Sequence, residues 1–336
     1  MAVFLLLGAI VLSTGMGFIS IPFRDVVRII CDPMLGLIGR VASVNEVTRS
    51  VILDIRLPRI LTAAIVGGGL AVCGGVFQGI LLNPLADPYT LGISAGAAFG
   101  ACCAFLFGFG GVFSVTICAF LGGVGTLFLV IFLSFSDNRF ARGGMSSNTL
   151  ILSGIIVAAI LSAGISFLKY LADEQVSVII FWLMGSFASK TWGNVLCAGV
   201  SVALGFLVFM MYARDLNILS LGDKSAESLG VNPGSVTLIL LVTASLVTAV
   251  CVSVSGIIGF VGLLVPHMVR MVTGPDNRQL IPLSLIAGGF LMVCADTVTR
   301  AVLPHDIPIG VLTALIGGPF FCWVFRREQV KRRFSS

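Results

Sequence analysis

The sequence predicts an all-α integral membrane protein with about ten transmembrane helices. Three observations carry that prediction. Only 10% of the 336 residues are charged and 57% are hydrophobic, whereas soluble domains carry about 25% charged residues. Apolar runs of helix length for a hydrocarbon core recur along the whole chain. A spanning β-barrel would instead be written in short alternating segments. Finally, the chain holds 40 glycines, many of them inside those apolar runs. There they would weaken a soluble helix, but in a bilayer they let helix backbones approach closely.

The elements follow in order. Met1–Ser20 is the first span; apolar residues begin at Ala2 without a basic leader, which argues against a signal peptide. Residues 21–54 form a polar interval holding Arg24, Arg28, Arg40 and Arg49, with an amphipathic surface helix expected near Arg24–Ile30. Leu57–Leu82 is the second span, Leu91–Phe109 the third and Val112–Phe135 the fourth, with Gly110-Gly111 as the turn between the last two. After a polar connection over 137–148, Thr149–Tyr170 is the fifth span. The apolar core of Ala172–Trp192, VSVIIFWLMGSF, is too short to cross and reads as a re-entrant or interfacial helix. Asn194–Tyr212, Ser235–Ser255, Ile257–Val272, Leu280–Val302 and Ile309–Phe325 complete the ten. Residues 214–233 are a polar, helix-compatible connection, and 326–336 a basic tail.

Ten spans put both termini on one side, and the tail RREQVKRR makes that side cytoplasmic. The net charge of +5 lies largely in this tail and calls for no nucleic-acid partner. With the tail counted, Lys and Arg divide eleven inside to nine outside, and without it the asymmetry would point the wrong way, so the external arginines need a reason other than orientation. The nine cysteines lie mostly within apolar runs, without metal-ligand spacing, and read as small buried hydrophobes.

Several stretches could carry function. Arg56 and Arg59 open the second span one turn apart. Small residues recur every fourth position at Gly67, Ala71, Gly75 and Gly79, and again at Gly92, Gly96, Gly100, Ala104 and Gly108. Each set forms a groove for a neighbouring helix. Asn83-Pro84-Leu85-Ala86-Asp87-Pro88 is either a rigid turn or a constriction at which Asn83 narrows a pathway. Met145-Ser146-Ser147-Asn148 is either a helix cap or part of the same inner gate. Asp296 and Arg300, at i and i+4, lie on one face and are read as a pair rather than a proton relay. His267 reads as a structural, hydrogen-bonded group and His305 as solvated. Leu221–Val231, LGDKSAESLGV, is either a solvated connecting helix or a surface helix offered to a cytoplasmic partner. None of the four lysines follows a glycine. The chain therefore cannot form the phosphate-cradling loop that needs a Gly-Lys pair, and any ATPase must be another polypeptide.

Four stretches together resemble the FecCD-type permeases, membrane subunits of bacterial ABC importers for iron-siderophores, haem and cobalamin. They are RLPRILTAAIVGGGLAVCGGVFQGILLNPLADPYTLGISAGAAFGA, LGDKSAESLGV, GIIGFVGLLVPHMVRMVTGPDNR and DTVTRAVLPHDIPIGVLTALIGGPFF, in the family's order and spacing. The resemblance implies a single permease unit over residues 1–336 with the type II ABC importer permease fold, in a bacterial cytoplasmic membrane, with both termini cytoplasmic. It implies a homodimer with the pathway at its interface, two ATP-binding cassette subunits inside and a substrate-binding protein outside. No cofactor is implied on this chain, since ATP is used by the partner subunit. Arg56, Arg59 and Arg300 match the family's docking arginines. Asn83, Leu85, Ser147 and Asn148 match its inner gate. Leu221, Asp223, Ala226, Glu227, Leu229 and Gly230 match its ATPase-coupling helix. The competing class is an ion-coupled secondary transporter, which would show intramembrane carboxylates or broken helices.

Overall fold

The computed structural model describes residues 1–17, 21–35, 46–109, 112–134, 147–301 and 307–334. Among these residues there are fifteen α-helices and no strands. In order they are α1 (Ala2–Gly15), α2 (Phe23–Leu35), α3 (Glu46–Ser50), α4 (Leu57–Ile80), α5 (Ile93–Leu106), α6 (Val112–Ser134), α7 (Ser147–Leu171), α8 (Val176–Leu183), α9 (Trp192–Met211), α10 (Ala213–Leu219), α11 (Asp223–Ser228), α12 (Pro233–Ser255), α13 (Val261–Thr273), α14 (Asn277–Ala301) and α15 (Ile309–Phe334). Six helical segments are long and apolar enough to cross a membrane: the continuous run Glu46–Ile80, α6, α7, α9, α12 and α14. Four shorter apolar helices, α1, α5, α13 and the first part of α15, bring the apolar helices among the described residues to ten.

The bundle is organised around α4. In its most apolar stretch 83% of the residues are buried, against 22% in α9. α4 packs on α14, α12, α13 and α9, while α6 and α9 turn Phe128, Phe132, Leu196, Leu204 and Met211 outward, as bilayer-facing helices do. The small-residue grooves explain the close packing. A Cβ on Gly67 would collide with Met292 and the Gly288 carbonyl of α14, and one on Gly74 with the Gly262 backbone of α13. The second groove seats α6: side chains at Gly96 and Gly100 would strike Thr126 and the Cys118 carbonyl. Gly75 and Gly79 abut Leu280 and Leu216. Gly92 instead serves a turn, at φ 75° before the first residue of α5. The first groove and the Gly96–Gly100 part of the second are thus filled from within the chain, whereas Gly108 lies past the end of α5 at φ 65° and faces open space.

α4 is entered through a π-helical turn, Val51–Arg56. Pro58, in the first turn of α4, has no N–H, and its ring crowds the carbonyl four residues back, so the regular ladder cannot run through this point. The wider turn carries Arg56 to the inside of the bundle, where it is 7% exposed.

The structure differs from the sequence expectations in places. The helix expected from Ile257 begins at Val261. Gly256 (φ 73°) and Phe260 (φ 68°) take left-handed backbone, which ends the helical path between them. Protein groups meet part of the backbone freed here, as a bilayer favours: the Ile258 N–H donates to Tyr89 Oη at 2.8 Å, and beside it the Ser186 N–H donates to the Ser255 carbonyl at 2.8 Å. The interfacial segment yields only the eight-residue α8. Its C-terminal carbonyls at Met184 and Gly185 accept from the Gly310 and Ile309 N–H groups at 3.0 and 3.2 Å. Two helix ends therefore satisfy each other. α1 stops at Gly15, five residues short of the expected boundary, and α15 continues through the basic tail to Phe334. The surface helix near Arg24–Ile30 is α2. Arg40, Gly110-Gly111, residues 137–146 and His305 lie outside the described residues.

The packing makes an opposed pair of predictions. Alanine should stabilise a free helix by about 1 kcal/mol over glycine. Gly125→Ala, where a Cβ meets nothing within 4 Å, should leave thermal stability in detergent unchanged or raised. Gly74→Ala should lose about 1–3 kcal/mol, because the obstacle is backbone and cannot rotate away. Equal melting temperatures for the two variants would contradict the packing account.

Candidate functional site: a charged knot at one end and a polar staple at the other

The three predicted arginines converge at one end of the bundle. Arg59 Nε lies 2.9 Å from Asp296 Oδ1, and Arg300 Nε lies 3.7 Å from Asp296 Oδ2. The spacing of Asp296 and Arg300 on α14 made their pairing legible. The closer partner, Arg59, comes from α4 and could not be read from spacing. Arg56 Nη1 donates to the Thr14 carbonyl at 2.8 Å. Arg300 donates through Nη2 to the Ser13 carbonyl at 2.8 Å, and through Nη1 to the Met16 carbonyl. These carbonyls are the orphan acceptors at the C-terminus of α1, where a cation also meets the negative end of the helix dipole. Ser13 Oγ and Thr297 Oγ1 share a 2.6 Å hydrogen bond, a second tie from α1 to α14.

Two guanidinium groups thus face the Asp296 carboxylate, and the third, Arg56, lies with Arg300 beside Gly17 at the end of α1. They are not an open patch. The Arg59 and Arg300 side chains are 14% and 10% exposed. Arg59 and Asp296 also line a cavity of about 120 Å3, shared with Phe181, Phe187 and Ile309 beside the C-terminal end of α8.

The other end holds the remaining predicted residues. Asn83 Oδ1 accepts the Leu85 N–H at 2.9 Å, and the Asn83 carbonyl accepts the Ala86 N–H at 3.0 Å. Asn83 thereby builds its own turn, and Leu85 is left exposed. Asp87 is buried, with its carbonyl accepting from Thr90 N and Oγ1. Ser147 and Asn148 are the first residues of α7. Among the described residues no hydrogen bond joins them to Asn83. The loop does rest on α7 two turns further in, where Gly154 abuts the Thr90 carbonyl and Leu91.

The connection after α9 folds as a hairpin of two short helices, α10 and α11. Gly230, at φ 82°, closes α11, with the Val231 N–H reaching the Ala226 carbonyl at 3.0 Å. Leu221, Asp223, Glu227, Leu229 and Gly230 are exposed, whereas Ala226 is fully buried in the core. Ala226 therefore supports the presented face from beneath and is not part of it.

The group that fixes this hairpin leaves no local mark in the sequence. Asn217 of α10 donates through Nδ2 to Asp276 Oδ1 at 2.6 Å, and its Oδ1 accepts from Asn277 N and Nδ2 at 2.9 and 2.8 Å. Asp276 also accepts the Arg278 N–H at 3.0 Å, as a helix-capping side chain does. These bonds hold the Asp276 carboxyl below its usual range. The bonds stay charge-assisted at neutral pH and loosen only in acid. The Gly-Pro-Asp-Asn run before α14 was a readable cap signal; its partner sixty residues earlier in the chain was not.

Asp296→Ala removes the carboxylate that Arg59 and Arg300 both face. It should cost about 3 kcal/mol, the scale for stripping a buried pair of one partner. Arg278→Ala, at an exposed position, should lie within about 0.5 kcal/mol of the parent. Thermal unfolding of both variants in detergent checks this.

Comparison with known proteins agrees with this architecture along the whole length. The profile of the FecCD transport family matches residues 5–327. The hemin transport system permease protein of Yersinia pestis is 36% identical over 98% of this chain and 96% of its own. The cobalamin import system permease protein of Halobacterium salinarum is 41% identical over 86% of this chain and 76% of its own. Among solved structures, an inward-facing transporter assigned to the metal-chelate type of ABC transporters superposes with a TM-score of 0.84, at 35% identity, covering 97% of each chain. With ten apolar helices packed in a shared arrangement and a family match that leaves only the extreme ends uncovered, this chain belongs to the FecCD transport family.

Proposed function

We propose that the chain is the membrane-spanning permease subunit of an ATP-driven importer for a metal chelate, with an iron-siderophore as the first candidate and haem and cobalamin as the others. The observation that carries this reading is the family match over residues 5–327, joined to relatives named for hemin and cobalamin import that the chain matches over 96% and 76% of their lengths. In this reading residues 1–336 are one permease unit in a bacterial cytoplasmic membrane, with both termini cytoplasmic. It pairs with a second copy, takes two ATP-binding cassette subunits on the cytoplasmic side and receives a substrate-binding protein outside. No cofactor resides on the chain. ATP is consumed by the cassette subunits.

The geometry supports a division of labour. The α10–α11 hairpin offers exposed Leu221 and Leu229 beside Asp223 and Glu227, an apolar centre with a charged rim of the kind protein interfaces use. Motion of the hairpin passes through Asn217 to Asp276 and Asn277 at the start of α14. α14 is 25 residues long, roughly 37 Å at 1.5 Å per residue, and its far end carries Asp296 and Arg300. Acidic groups on a docked binding protein would compete with Asp296 and the α1 carbonyls for Arg56, Arg59 and Arg300. Docking and ATP binding then act on the two ends of one helix, each shifting the conformational equilibrium by its differential affinity. The Asn83–Pro88 turn and the Ser147-Asn148 helix start flank the inner mouth as the gate.

Three measurements test this. In proteoliposomes with cognate subunits, replacing Leu229 by Glu or Glu227 by Lys should abolish substrate-stimulated ATP hydrolysis. Full uptake by this chain alone, without ATP, would sink the importer reading. Asn217→Ala should lower uptake about tenfold, the scale of one charge-assisted hydrogen bond, while leaving basal ATP hydrolysis in place. Reversing Arg56, Arg59 and Arg300 to Glu should weaken binding-protein affinity in a salt-sensitive way; unchanged affinity at low salt would remove them from docking.

A further inference from the structure

A second polar feature, separate from the arginine knot and the hairpin, lies behind α8. A cavity of about 600 Å3 is bounded by the last turn of α5, the first of α6, one face of α8, and the adjoining ends of α9 and α12. That is ample for an organic ligand. Its walls are mainly apolar, with Phe105, Val115, Trp182 and Val254 among them, and Lys190 stands in it with Gln175 nearby. Lys190 is half-buried. Among the described residues its ammonium has no hydrogen-bond or ion-pair partner. Desolvation draws its pKa down to about 8, the mark of a cation held without an anion.

The surroundings decide which anion suits it. α6 and α9 both pack on α12, and both face outward along most of their length. The cavity takes residues from each, over the end of α12. A soluble anion would find apolar walls of no use to it. An amphiphile would place its charge on Lys190 and its chains along Phe105, Val115 and Val254, in the gap between two bilayer-facing helices. Lysine suits a phosphate as a compact point charge, and the site lies at a helix-end boundary where Trp and Lys meet headgroups.

We infer that the cavity behind α8 is a binding site for one phospholipid, its headgroup phosphate on Lys190 and its acyl chains against Phe105, Val115 and Val254. The site requires nothing of the transport reading, so either can fail without the other.

Trp182 lines the cavity and reports on it directly. In full-length protein carrying Trp192→Phe and Trp323→Phe, it is the only tryptophan. Titration in detergent with phosphatidylglycerol bearing brominated acyl chains should quench Trp182 fluorescence saturably. Native mass spectrometry should retain one phospholipid per chain. Lys190→Met should weaken the lipid about fivefold, the scale of one basic residue at a lipid surface, and Lys190→Arg should restore it. Brominated diacylglycerol, which lacks the phosphate, should quench without saturating. The proposal is overturned if diacylglycerol quenches as well as the phospholipid, if Lys190→Met in a protein of unchanged melting temperature binds as tightly as the parent, or if millimolar inorganic phosphate displaces the lipid completely, which would assign the site to a soluble anion.

Discussion

The backbone of α4 lies against the backbones of α13 and α14 at distances that exclude a side chain, and the rest of the bundle depends on that approach. Lipid tails are as apolar as leucine, so burying apolar surface gives little net drive to hold spans together. Close van der Waals contact must supply it, and only glycine and alanine allow helices so near. Gly67, Gly68 and Gly74 supply the contact on α4, answered by Gly288 and Gly262 across the interface. The register this imposes puts Arg59 beside Asp296 at one end of the pair, and Leu216 of α10 against Gly79 at the other.

Charge is placed where that packing leaves the membrane. The arginine knot lies where α1, α4 and α14 end, and it satisfies two needs together. It neutralises Asp296, which would be costly alone in this setting, and it occupies the carbonyls left over at the end of α1. In the proposed docking these arginines start from groups already engaged, so a binding protein would have to exchange partners with Asp296 and the α1 carbonyls.

Broken helices occur here, at residues 256–260 and around α8, and several of their backbone groups are met by Tyr89, Ser255 and the first turn of α15. Among the described residues no cluster of His, Cys, Asp and Glu suited to a metal ion accompanies them. The bonds at the breaks tie the end of α8 to α12 and α15, and the 256–260 stretch to Tyr89, which lowers the cost of non-helical backbone in lipid.

How much was legible beforehand follows from the range of each signal. The spans, the small-residue grooves, the turn at Asn83–Pro88 and the short helix within Leu221–Val231 were readable. Apolar run length, four-residue spacing, proline and a glycine stop act within one element and leave their mark in consecutive residues. The Asp296–Arg300 pair was readable for the same reason, being one helical turn. The tertiary structure alone decided that Arg59 is the closer partner of Asp296, that Arg56 turns inward on a π-helical turn, that Ala226 is buried beneath the hairpin, and that Asn217 is stapled to Asp276. Each of these joins residues on different helices, and their meeting depends on crossing angles and registers set by the whole glycine interface. No local stretch of sequence encodes those quantities.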